Sequence, residues 1–142
     1  MAKNDKDGVK AMGFSAVMFR IETDADFDTY IDAVIDEQSV LLNARIGSTA
    51  YDSKESPVKE YVKNAEKSLI AAEMITRRIN IVLGNITGKG QEIDTKNEER
   101  QREAYTKAAN DWIEKALSAM GDAAAGGIAS GVVITPSWPC LT

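Results

Sequence analysis

A chain of 142 residues, 27% charged and 44% apolar, has the length of one domain and the composition of a folded globular protein, which sets aside the disordered classes. Seventeen basic against 22 acidic residues leave a net charge of −5, which weighs against a protein that coats duplex DNA with a basic face and leaves room for a local patch. With no histidine and a single cysteine, Cys140, zinc sites built on His or several Cys are excluded within one chain, as is an internal disulfide.

Residues 1–13 are polar and lack the apolar core of a secretory signal, and no run approaches the roughly 20 apolar residues of a membrane span. A soluble cytoplasmic product is expected, with residues 1–13 as a flexible lead. Phe14 to Ile21 (FSAVMFRI) is short and bulky, and reads as a strand or as an apolar strap over the body.

The first helix opens at Thr23, an N-cap with Asp26 three residues on. Phe27, Ile31, Val34, Ile35, Leu42 and Ile46 recur at three- and four-residue steps, one helical face that Tyr30 and Leu41 widen. Gly47 is the expected stop, because glycine reaches the left-handed conformation without a Cβ clash. Residues 48–56 are polar and turn-rich.

Ser56 as N-cap and Pro57 at the first helical position predict a second helix, of about 40 Å. Val58, Val62, Ala65, Leu69, Ala72, Ile79 and Val82 mark its apolar face. Arg77 and Arg78 near its end suit the negative end of the helix dipole. The glycine-rich residues 84–93 have the wrong spacing and context for a phosphate loop and read as a connection.

A third helix is predicted from about Asp94 to Met120, with Thr95 and Glu98 as its capping pair. Its first half has no apolar stripe, so local pairs such as Glu98–Arg102 and Glu103–Lys107, each worth roughly 0.3 kcal/mol, are expected to help hold it. Its second half is expected to bury Tyr105, Ala108, Ala109, Trp112, Ile113, Ala116, Leu117 and Met120 in the core. After Gly121 the small residues read as a hinge. Val132, Val133 and Ile134 are β-branched, and Pro136 and Pro139 forbid a helix, so an extended arm follows. Trp138 and Leu141 give that arm an apolar surface that needs a pocket, on the body or on a partner.

The expected fold is all-α: a bundle of three long helices with an extended N-terminal segment and an extended C-terminal arm. The layout is a lead and strap over 1–22, a helical body over 23–120, a Gly/Ala hinge over 121–131 and a docking arm over 132–142. No catalytic, cofactor-binding or metal-binding residues are assigned, and a non-enzymatic role is expected.

Two charge stripes stand out. Asp28, Asp32 and Asp36 line one edge of the first helix, and Lys59, Lys63 and Lys67 line one edge of the second. Solvated flanks account for such rows at little energetic cost. The matching spacing also suits complementary edges that meet between subunits. A small helical regulator of nucleic acid would have only the lysine edge to bind with, and an enzyme running on carboxylates would need two of them in an apolar cleft, which nothing in the sequence places there.

The run IDEQSVLLNARIGSTAYDS, 35–53, followed by PVKEYVKNAEKSLIAAEMITRR, 57–78, resembles the head–tail connector (adaptor) proteins of tailed bacteriophages. The similar elements are a helix ending in an LLNARIG…Y turn and an Ala-rich helix of the V…A…LIAAEMITRR type. They cover roughly residues 24–84. The resemblance implies a subunit of a homo-oligomeric ring, typically of twelve, seated under a portal protein at the head–tail junction of the virion. Such a ring extends the DNA channel, without sequence-specific DNA binding, and docks the neck or tail protein. It also implies that Val132, Val133, Ile134, Trp138 and Leu141 engage the portal, with no cofactor and no membrane involved. A neck or tail-completion protein is the neighbouring alternative.

Overall fold

The computed structural model describes residues 2–84 and 95–128, with side chains described as far as Gly121. Their regular structure is helical throughout: α1 (Lys6–Ala11), one 3-10 turn (Ala16–Phe19), α2 (Asp24–Ile46), α3 (Ser48–Tyr51), α4 (Val58–Gly84) and α5 (Lys96–Ile128). The chain is all-α over this span, and α2, α4 and α5 are its long elements. None of the described helices is long and apolar enough to cross a membrane.

α2 begins where its cap chemistry says it should. The Thr23 hydroxyl accepts the Asp26 amide N–H at 3.1 Å, and Asp24 and Asp26 sit in the first turn, where the helix dipole favours negative charge. Phe27, Ile31, Val34, Ile35 and Leu42 are all buried. Leu41 departs from expectation: it is exposed, on the flank of the stripe. Gly47, at φ 86° and ψ 154°, breaks the helix and leads directly into α3. The supposed turn over 48–56 thus holds a short helix that buries Ala50 and Tyr51.

α4 starts at Val58, one residue beyond Pro57. The Ser56 hydroxyl donates to the Glu60 carboxylate at 3.0 Å, in place of the expected N-cap bond. α4 and α5 make the most extensive helix pairing. Ala65, Ala71, Ala109 and Ala116 are fully buried on these two helices, where small side chains let the backbones approach. Thr95 is buried at the entrance to α5, whereas residues 96–108 stay exposed or half-buried and the buried alanines of α5 lie further on. Neither Glu98–Arg102 nor Glu103–Lys107 forms one of the ion pairs among the described residues.

The N-terminal residues form more structure than a lead. Asp5 caps α1 by accepting the Gly8 amide N–H at 2.9 Å, and Val9 is buried. Residues 14–21 make the 3-10 turn instead of a strand. Phe19 packs on Phe27 at 5.8 Å and Tyr30 at 5.4 Å between ring centroids, contacts worth roughly 0.5–1.5 kcal/mol each beyond their buried area. Two core clusters result. One joins Val9, Phe19 and the first half of α2 to Ile70 and Met74; the other joins Leu42 and Tyr51 to the start of α4 and to Ile113 and Ala116.

At the other end, α5 does not stop at Gly121 but continues to Ile128. Three consecutive alanines, residues 123–125, have the highest helix propensity and outweigh the neighbouring glycines. The expected hinge is therefore helical over 121–128. The docking arm, with Val132, Val133, Ile134, Trp138 and Leu141, lies outside the described residues, as does the connection 85–93.

Candidate functional site

The lysine edge of α4 is a surface feature. Lys59, Lys63 and Lys67 are exposed, and none forms an ion pair with a described residue. Lys63 and Lys67 line an open groove of about 540 Å³ whose opposite wall is Lys3, Asn4 and Gly8. Lys67 and Asn64 continue into a second hollow of about 310 Å³, walled by Met12, Tyr105 and Trp112. The two share those residues and form one trough along α4, in which Lys63 and Lys67 stand with Asp5 and Glu60 at one end, and Met12, Tyr105 and Trp112 face Asn64, Lys67 and Ser68 at the other. Trp112 is half-buried there, with Tyr61 at 5.6 Å between ring centroids and the Lys115 ammonium 4.6 Å from its ring. It sits at the edge of the core instead of inside it.

The acidic edge of α2 divides. Asp28 is engaged within the chain, in ion pairs with Lys6 at 3.7 Å and with Lys10. The hydrogen bond from Lys10 holds the Asp28 carboxyl below its ordinary range, and the same contact raises the Lys10 ammonium. Asp32 and Asp36 remain exposed and form no ion pair with a described residue. Val40, one turn further along the same row, is 67% exposed. The expected three-residue stripe is thus a ridge of two free carboxylates and an exposed valine.

Glu66 was missed by the charge reading and is the most constrained polar group. It has no solvent exposure. Its Oε2 accepts the amide N–H groups of Lys3 at 2.7 Å and Asn4 at 2.9 Å, and the Asn4 side-chain amide at 2.9 Å. Its Oε1 accepts the Tyr51 hydroxyl. The Lys3 ammonium lies 4.8 Å from the Tyr51 ring centroid and 3.9 Å from Asp52. Burial, reinforced by the Glu66 carboxylate, pushes the Tyr51 phenol well above its usual range, against a smaller opposing effect of Ser39. A signal was present: Glu66 stands beside Ala65 and four residues after Val62, on the inward face of α4.

Arg77 and Arg78 do more than meet a helix end. Arg77 pairs with Glu73 at 2.9 Å and Glu37 at 3.4 Å and lies over the Tyr30 ring, while Arg78 donates to the Met18 carbonyl at 2.6 Å. Both tie α4 to elements packed on it. Among the described residues no three His, Cys, Asp or Glu side chains gather as a metal site. The trough and the ridge offer exposed charge and apolar side chains to a partner. No family model, no curated protein and no solved structure matches the chain.

Proposed function

We propose that this chain is a structural connector subunit of a tailed-phage virion, acting by assembly and not by catalysis. In this reading copies form a ring, of about twelve as in the adaptor proteins it resembles, under a portal protein. The ring extends the DNA channel and offers its far face to the neck or tail. Val132, Val133, Ile134, Trp138 and Leu141 anchor to the portal, as an extended segment can by adding to a partner's sheet. The bundle of α2, α4 and α5 is the rigid body of the subunit.

One observation carries the reading. Two rows of opposite charge, Asp32 and Asp36 on α2 and Lys59, Lys63 and Lys67 on α4, are exposed and form no ion pair with a described residue. Unequal, complementary faces suit head-to-tail association, which closes into rings when the rotation permits. Asp28, occupied by Lys6 and Lys10, drops out of that interface.

The free lysine edge also suits phosphate, which keeps a nucleic-acid-binding regulator as the second reading. Cryo-EM and pull-down of the full chain, and of a form ending at Gly131, with portal and neck proteins of the same genome decide between them. A ring with the full chain alone supports the connector and makes the arm its anchor. Failure of both forms to join any virion protein, with salt-dependent retention on duplex DNA, overturns it.

A further inference from the structure

We propose that the α2 ridge of one copy, Asp32, Asp36 and Val40, seats in the α1–α4–α5 trough of a second copy. There the two carboxylates meet Lys63 and Lys67, and Val40 packs against the apolar wall of Met12, Tyr105 and Trp112. The inference rests on the connector reading and names the contact through which its subunits would join.

Order and spacing carry it. Along α2 the three ridge residues follow at four-residue steps, about 6 Å apart, in the order acid, acid, apolar. Along α4 the lysines follow at the same 6 Å steps, and the apolar wall begins beside Lys67, the last of them. The ridge faces away from the core, and none of its members lines the trough, so one copy can offer both surfaces at once.

Two acidic residues, Asp5 and Glu60, line the trough together with the lysines. Asp5 accepts the Gly8 amide N–H, and Glu60 accepts the Ser56 hydroxyl. Glu60 stands beside Lys59 and one turn before Lys63 and Asn64, so it offsets the positive field most at the Lys59 end and leaves Lys63 and Lys67 as the net basic stretch. A carboxylate there gains from both ammonium groups, while an exposed valine gains only from the far end. That asymmetry fixes the direction in which the ridge lies.

The test uses the full-length chain in two variants, Asp32→Lys/Asp36→Lys and Lys63→Asp/Lys67→Asp, with circular dichroism as the folding control. Sedimentation velocity at low salt should show concentration-dependent association of the parent chain. Each variant alone should associate about tenfold more weakly or worse, because like charges then face each other. An equimolar mixture should recover parent-like association, since each variant supplies the partner the other lacks. A third variant, Val40→Asp, should weaken association and gain nothing from Asp32→Lys/Asp36→Lys, whose ridge is also damaged, while Lys63→Asp/Lys67→Asp, with its intact ridge, should restore a single contact. Parent-like association of both charge variants, or a mixture no better than its parts, overturns the inference. So does a ring, seen by cryo-EM under the portal, whose subunit contacts leave the ridge and the trough uncovered, and in that case the connector reading stands.

Discussion

Glu66 shows what a buried carboxylate requires. Removing such a group from water costs several kcal/mol, and its oxygens here receive four donors, from Lys3, Asn4 and Tyr51. Tyr51→Phe leaves Oε1 without its donor and should cost about 1–3 kcal/mol in urea unfolding. The Tyr51 phenol is raised in the folded protein, so the stability it contributes is complete below its unfolded value of about 10 and falls as pH rises beyond it. Unfolding midpoints between neutral pH and about pH 11 should therefore fall more steeply for the parent than for Tyr51→Phe; equal slopes would refute the assignment. No alternation of apolar residues reveals this network. Its members stand 15 and 63 positions apart, and only folding brings them together.

At the scale of elements, Gly47 separates α2 from α3 in a conformation that residues with a Cβ rarely adopt. A Cβ added there meets nothing within 4 Å, so Gly47→Ala should cost only backbone strain, about 1–3 kcal/mol. Gly84, at the end of α4, has neither a positive φ nor a close neighbour, so Gly84→Ala should be neutral or stabilise by roughly 0.4–1 kcal/mol. Thermal unfolding of both variants checks the contrast, and equal effects would sink it. The same contrast explains what the sequence revealed. Thr23 and Gly47 act on bonds within a few residues of themselves, so their roles are legible locally. α1 is not, because its single buried side chain, Val9, gains its stability from α2 and α4. The end of α5 is not legible at Gly121, because the cost of a glycine in the helix, about 1 kcal/mol, is offset by the alanines that follow it.

For the molecule as a whole, α4 is the common wall of both core clusters, and residues 2–21 close one of them. Deleting residues 1–13 uncovers Val9's place in the core and strips Glu66 of three donors. The loss should be about 3 kcal/mol or more by urea unfolding, far above the roughly 0.5 kcal/mol of an unpacked tail. A change no larger than that would return these residues to the status of a lead. The long helices and their inward faces were readable because each is a local period. Which charges stay free was not: Asp28 pairs with Lys10, on a segment without a recognisable period, and that pairing reshapes the acidic edge.

The latch on Glu66 also sets an order of events. Lys3 and Asn4 are translated more than sixty residues ahead of the carboxylate that receives them. Until α4 has emerged from the ribosome, Phe14 and Phe19 have no shelter on it. The nascent chain therefore carries a half-covered patch, with Phe19 packed on α2 alone, open to chaperones and to other nascent copies, and closes it only after α4 has been made.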